Sequence, residues 1–177
     1  MSAQPHGLEP GAVAEEFVWL LLLEQFEAAA GHIDPVELEA FRAQFFAAAD
    51  ELDSPQERAA LLALFGGQRL NELRGLTAEQ FFVRFMGAAS AASRQSVRPP
   101  PDVDRGQLRS FWVEETAADG DHAVLDVALV LRLPGCDSEV RRRVGLRRTS
   151  GRWRVLLDER LAGMASRIVA KVRRSAN

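Results

Sequence analysis

The sequence predicts an α+β fold, in which N-terminal helices pack on a four-stranded antiparallel meander sheet and a C-terminal helix follows. The first 92 residues hold helix-capping motifs and apolar side chains at helical spacing. Residues 107–158 instead alternate apolar and polar side chains between short glycine-containing turns. With 177 residues, 47% of them apolar and 27% charged, the chain predicts one compact domain overall.

Composition divides the chain into four segments. Residues 1–11 carry two prolines and two glycines, which predict a flexible tail. Residues 12–92 are predicted to be a helical region. Residues 93–106 include the run Pro99–Pro101, which cannot continue a helix and predicts a junction. Residues 107–177 are then predicted to form the antiparallel sheet and the C-terminal helix.

The helical region begins with a helix predicted over residues 12–30. Its segment Val18–Leu23 is apolar around the whole circumference. Such a helix is buried on most sides, or it packs its second face against another chain. Three later helices are predicted at N-cap residues that are followed three positions later by Glu or Gln. These N-cap residues are Asp34, Ser54 and Thr77.

The sheet is predicted as four strands joined by three short turns, which is the pattern of an antiparallel meander. The strands are predicted over 107–116, 122–133, 139–148 and 152–158. A final helix is predicted over 159–174, with Leu161, Met164, Ile168 and Val172 on one stripe.

Two charged residues, Asp126 and Arg142, interrupt otherwise apolar strand faces. A buried charge without a partner is costly, so we expect a salt bridge between these two residues, or with Arg154. The alternative is that they are polar side chains that contact a ligand in a pocket lined by the sheet. The pocket candidates are Asp126, Arg142, Trp112 and Trp153.

Charge is sorted along the chain. Residues 1–60 hold twelve acidic and two basic side chains, whereas residues 138–177 hold twelve basic and three acidic ones. We expect the two ends to neutralise each other, within a chain or across a dimer. The alternative is an anionic partner such as nucleic acid. We expect no aromatic side chain among the outward arginines to stack bases, and a pI of about 5.7 also disfavours that alternative. The anion-binding candidates are Arg141, Arg143, Arg147, Arg152 and Arg154.

Two stretches resemble the nuclear-transport-factor-2-like superfamily, whose members have a cystatin-like, cone-shaped α+β fold. They are Asp-Gly-Asp-His-Ala-Val-Leu-Asp-Val at 119–127 and Ser-Gly-Arg-Trp-Arg-Val-Leu at 150–156, and the resemblance covers roughly residues 77–158. It implies a curved sheet with an open cone mouth. The longer helical region and the added C-terminal helix depart from that pattern, and the helix could fill or cover the mouth. The superfamily includes isomerases, dehydratases, cyclases and binding modules, so the resemblance leaves the chemistry open.

Motifs for catalysis or metal binding are missing from the sequence. His6, His32 and His122 are scattered, and no zinc spacing, calcium loop, phosphate loop or nucleophile elbow occurs. His122 and Asp126 share a strand face but lie about 13 Å apart, too far for a direct dyad. We therefore expect no catalytic residue, no metal and no cofactor.

The sequence thus predicts a non-catalytic module that binds a protein partner or a small apolar ligand and self-associates as a homodimer. Anion or nucleic-acid binding is the first alternative. A pocket enzyme of the isomerase or dehydratase type, with Asp126 as acid or base, is the second.

A cytoplasmic location without membrane association is expected from the N-terminal region. The apolar run Phe17–Leu23 follows two glutamates rather than basic residues, and it is too short to span a bilayer. One cysteine, Cys136, excludes an internal disulfide.

Overall fold

The computed structural model describes residues 9–94, 107–133 and 135–176. It confirms the α+β fold with N-terminal helices, a four-stranded antiparallel meander and a C-terminal helix. The helices are α1 Pro10–Leu22, α2 Phe26–Ala30, α3 Pro35–Asp50, α4 Pro55–Leu64, α5 Leu70–Arg74, α6 Ala78–Arg94, α7 Glu159–Ala162 and α8 Met164–Ala176. The strands are β1 Leu108–Asp119, β2 His122–Leu133, β3 Cys136–Thr149 and β4 Arg152–Leu156.

The chain divides into two compact units. The sheet unit comprises Met1–Asp34 and Pro101–Asp158, and the helical unit comprises Pro35–Pro100 and Glu159–Asn177. The helical region predicted over 12–92 is therefore shared, with α1 and α2 in the sheet unit and α3 to α6 in the helical unit. Most of the predicted tail and junction lies outside the described residues, which begin at Glu9 and resume after the gap at Gln107.

The sheet has the strand order β1-β2-β3-β4, with every neighbouring pair antiparallel. Two-residue turns join β1 to β2 and β3 to β4, with Gly120 at a φ of 52° and Gly151 at 77°, and Gly135, directly before β3, has a φ of 85°. Glycine adopts this backbone region at little cost, which explains why tight hairpins form here. Strand β3 is longer than predicted because its pairing with β2 continues to Leu133 and Cys136.

One face of the sheet is covered by α1. We call the face that carries Val127 the inner face and the face that carries Asp126 the outer face. Helix α1 contacts all four strands, and Gly11 lies against the inner-face side chain of Val113. The inner-face residues of β2 are at most 2% exposed, as their apolar alternation predicts. They are Ala123, Leu125, Val127, Leu129 and Leu131.

The predicted helices 12–30 and 159–174 are each interrupted. Helix α1 ends at Leu22, where Glu24 takes a φ of 56° and the Gln25 N–H donates to the Leu20 carbonyl at 2.8 Å. This is a Schellman-type ending without glycine at the left-handed position, so the sequence shows no stop signal. The last helix is broken at Gly163, between α7 and α8.

The helical unit is built around phenylalanine side chains from α3, α4's C-terminal end and α6. The ring centroid of Phe45 lies 5.0–5.9 Å from those of Phe46, Phe65, Phe81 and Phe85. All five side chains are buried, so the aromatic residues at helical spacing form a core. Helix α8 packs against α3 and α4 in this unit.

The helix starts predicted at Ser54 and Thr77 are confirmed as capping boxes. Ser54 Oγ accepts from the Glu57 N–H at 3.1 Å, and the Glu57 carboxylate accepts from the Ser54 N–H at 3.3 Å. Thr77 and Gln80 make the equivalent pair of bonds at 3.2 and 3.0 Å. These bonds satisfy backbone donors that a helix N-terminus otherwise leaves without a partner.

Candidate functional site

The outer face of the sheet holds Asp126, which is bound by Arg143. The register places these residues directly opposite each other on β2 and β3, and the guanidinium donates to both carboxylate oxygens at 2.9 and 3.0 Å. The hydrogen bond from Arg143, helped by the charges of Arg143 and Arg141, holds the pKa of Asp126 below its ordinary value of 3.8. The predicted salt bridge to Arg142 or Arg154 is therefore wrong about the partner, because Arg142 lies on the inner face and Arg154 lies on β4, where it donates to the Gly31 carbonyl.

The four pocket candidates do not meet at one site. Asp126 and Trp112 lie on the outer face, whereas Arg142 and Trp153 belong to the inner face. Arg142 is exposed and donates to the Arg141 carbonyl at 3.1 Å, and Trp153 is half-buried opposite Arg148. Strand alternation separates them, so they cannot converge on one ligand.

The five anion-binding candidates share the outer face, but most of them have acceptors within the sheet unit. Arg143 pairs with Asp126, Arg141 with Glu139, and Arg147 with Asp34. Arg154 donates to the Gly31 carbonyl, and Arg152 is exposed. Carboxylates thus offset three of these five positive charges, which weakens the case for a surface that binds phosphates.

An exposed tryptophan shares the outer face with these arginines. Trp112 is opposite Ala128, and Ala128 is opposite Arg141, so all three side chains share one row of the outer face. The indole is 41% exposed, while the small Ala128 between the two larger side chains is buried. The expectation that no aromatic residue lies among the outward arginines stays a prediction, because Trp112 shares their face but lies on β1, across β2 from Arg141.

The buried Asp34 makes an ion pair with Arg147, whereas the sequence predicted it only as a helix N-cap. A parallel bridge between Ile33 and Val155 fixes its backbone, and the Asp34 N–H donates to the Val155 carbonyl at 2.9 Å. The Asp34 side chain is 1% exposed and accepts from Arg147 Nη2 at 2.8 Å and from Thr149 Oγ1 at 3.1 Å. The contact spans more than 100 residues of sequence, so no local motif signals it.

A concave cleft lies in the helical unit. It has a volume of about 530 Å³ and lies between α4, α6 and α8. Buried side chains form its floor, half-buried ones its walls, and exposed ones its rim. The floor holds Phe65, Phe85 and Val172, the walls Leu64, Ala88, Ala89, Met164 and Ile168, and the rim Ala60, Ala92, Ser93 and Lys171.

The chemistry of the cleft is apolar, with a polar rim. Among the described residues of its lining, two side chains are polar, the Ser93 hydroxyl and the Lys171 ammonium, and Lys171 is the only lysine in the sequence. The lining contains no Asp, Glu, His or Cys, so it offers no general acid–base pair. The predicted α8 stripe of Met164, Ile168 and Val172 lines this cleft, although the sequence assigned those residues only to a helix face.

The described residues hold neither a cluster of metal ligands nor a membrane-spanning helix. Within those residues, no group of three or more His, Cys, Asp or Glu side chains is arranged to hold a metal ion. Among the helices that the structure describes, none combines the length and apolar character needed to cross a bilayer.

Comparisons with known proteins identify no relative of this chain. No family model matches the chain, and no curated protein or solved structure matches it. The resemblance to the nuclear-transport-factor-2-like superfamily therefore stays a prediction from two short motifs.

Proposed function

We propose that the protein is a non-catalytic module that binds a small apolar ligand in the cleft between α4, α6 and α8. The observation that supports this proposal is the volume and the apolar lining of the cleft. Its volume of about 530 Å³ falls in the range of about 300–1,000 Å³ that small-molecule sites occupy. Its lining is dominated by Phe, Leu, Ile, Val, Met and Ala, which suits a ligand bound by burial of apolar surface.

The cleft exists because α6 presents small side chains where the helices separate. Ala88, Ala89 and Ala92 line it from α6, and larger side chains at these positions would fill the space. Protein interiors are otherwise close-packed, so an apolar space of this size between three helices supports an occupant. Met164 supplies a flexible side chain that adapts to ligands of different shape.

The test is binding of the neutral apolar fluorophore N-phenyl-1-naphthylamine to wild type and to two matched variants. Ala89→Phe places a ring inside the cleft, whereas Ala91→Phe makes the same change at an exposed position of α6 outside it. We expect saturable fluorescence enhancement that Ala89→Phe reduces at least tenfold in affinity and Ala91→Phe leaves within twofold. Absence of saturable binding, or equal loss in both variants, contradicts the proposal.

A second candidate function, self-association, is favoured by Trp112. The indole is 41% exposed on β1, which is an edge strand that pairs only with β2 within the described residues. An edge strand presents unpaired backbone groups to another strand. Antiparallel pairing of two β1 strands about Trp112 sets the two indoles opposite each other, with Phe111 of each copy opposite Val113 of the other. A second copy of the chain is therefore the partner proposed for this edge.

Sedimentation equilibrium tests the self-association. Trp112→Ser should weaken the dimer at least tenfold, because buried tryptophan side chains dominate interface energies. Val36→Ser is the control, since Val36 is an exposed apolar side chain of the helical unit. A wild-type protein that stays monomeric at 100 µM, or a dimer that Trp112→Ser leaves intact, overturns this candidate.

Neither alternative from the sequence gains comparable support. The arginine face already carries paired carboxylates, and retention on heparin should be lost well below physiological salt. Asp126 is held as an ion pair with Arg143 on the sheet surface, which does not suit a general acid or base. The cytoplasmic location stays a prediction.

A further inference from the structure

We infer that the ligand of the cleft is a single-chain amphiphile with an anionic head group, held by Lys171 at the rim. This inference rests on the proposed function and adds the chemical class of its ligand. The floor of the cleft is apolar, whereas Lys171 and Ser93 stand at its exposed rim. A ligand with an anionic head group and an acyl chain would place the head group against the polar rim and the chain against the apolar floor.

Lys171 has the side chain that this role requires. It is the only lysine beside twenty-one arginines in the sequence, and it lines the cleft. A lysine lays its four-carbon stem along apolar surface and keeps its ammonium in water. The ammonium has three rotatable donors, so it can follow a head group that moves at the mouth of the cleft.

The charges around the rim favour an anion. Helix α8 carries four basic side chains and no carboxylate. Arg167 and Arg174 lie four residues before and three residues after Lys171, which places them on neighbouring turns of the same side of α8. Both are exposed, and Arg167 donates to the Arg160 carbonyl. The rim of the cleft along α8 is therefore a row of positive charge.

The other two lining helices carry one carboxylate each, and neither is among the described lining residues. Glu57 is buried in the capping box of α4, where it accepts from the Ser54 N–H. Glu79 lies in the first turn of α6, whereas the residues of α6 at the rim are Ala92 and Ser93. Within the part of the chain that the structure describes, no carboxylate therefore stands among the side chains that would contact the head group.

Ser93 completes the site that we propose for the head group. Its hydroxyl is the other polar side chain of the lining, and it comes from α6 while Lys171 comes from α8. A carboxylate at the rim would accept from the ammonium and from this hydroxyl. The chain of the ligand would then lie against Phe65, Phe85 and Val172 on the floor.

The test compares two probes with the same chain, decanoate and decan-1-ol, as competitors for bound N-phenyl-1-naphthylamine. Lys171→Gln should weaken decanoate roughly two- to fivefold, the range of one ion pair at a protein surface, and leave decan-1-ol nearly unchanged. Arg69→Gln removes one positive charge from an exposed residue of the helical unit, outside both the cleft and the basic row of α8, and should leave the affinity for both probes nearly unchanged.

A spectroscopic signal of the lysine itself provides a second readout. Reductive ¹³C-dimethylation keeps the positive charge and labels one side chain, because the sequence has one lysine. Decanoate should shift this signal and decan-1-ol should not. If neither competitor displaces the fluorophore, the proposed function fails. If both displace it and Lys171→Gln weakens neither, the cleft binds apolar ligands and the inference about the head group is overturned.

Discussion

Arg147 Nη2 lies 2.8 Å from Asp34 Oδ2, although 113 residues separate the two in the sequence. The ion pair joins the acidic N-terminal part of the chain to the basic C-terminal part inside the sheet unit. Its carboxylate is 1% exposed, and its guanidinium side chain is 35% exposed. At this position, an acidic residue of the N-terminal part neutralises a basic residue of the C-terminal part within the fold, so Arg147 does not add to a free basic surface.

Breaking this ion pair should destabilise the protein strongly. Arg147→Met leaves the buried Asp34 carboxylate without its guanidinium, and should lower the free energy of unfolding by about 2–4 kcal/mol. Arg141→Met is the control, because its partner Glu139 is exposed, and should cost less than about 1 kcal/mol. Urea denaturation of both variants measures the difference, and equal costs would show that burial of Asp34 carries no energetic weight.

The Asp126–Arg143 pair should give a defined pH dependence. Its hydrogen bond lowers the folded-state pKa of Asp126, so the stabilisation is present above the ordinary value of 3.8 and is lost as pH falls through the folded pKa. NMR titration of the Asp126 carboxyl should show this depressed pKa. Arg143→Met should return it toward its ordinary value, whereas Arg142→Met should leave it depressed. A pKa that Arg143→Met does not raise would contradict the assignment of the partner.

Two glycines should respond to alanine in opposite directions. Gly151 has a φ of 77° in the β3–β4 turn, so Gly151→Ala should cost about 1 kcal/mol or more of folding free energy. Gly87 lies in the interior of α6 with open space at its Cβ position, so Gly87→Ala should add about 0.5–1 kcal/mol. Calorimetric thermal unfolding gives the change in the free energy of unfolding for each variant. Changes of the same sign in both variants would be inconsistent with these backbone conformations.

Local chemistry in the sequence predicted much of the fold. Strand β2 spans the predicted 122–133, and the capping boxes at Ser54 and Thr77 form as expected. These features depend on residues close together in sequence. The stop of α1 at Leu22 was missed because Glu24 takes a left-handed conformation that glycine usually signals.

The candidate site depended on relationships that the sequence does not encode locally. Alternation assigned each strand residue to a face, but the pairing of Asp126 with Arg143 required the register between β2 and β3. The cleft required the packing of α8 against α4 and α6, and all four strands lie between α6 and α8 in the sequence. The apolar stripe of Met164, Ile168 and Val172 was predicted from its helical spacing. That spacing does not distinguish side chains that line a cleft from side chains packed in a core.

Binding in the cleft is tested most directly by methionine methyl NMR. Met164 lines the cleft, whereas Met86, also half-buried, lies on α6 outside the lining. Titration of [¹³C-methyl]methionine-labelled protein with decanoate below its micelle concentration should shift the Met164 signal in a saturable way and leave Met86 nearly unchanged. A Met164 signal that does not move, or Met164 and Met86 shifts that grow together without saturating, would contradict ligand binding at this site.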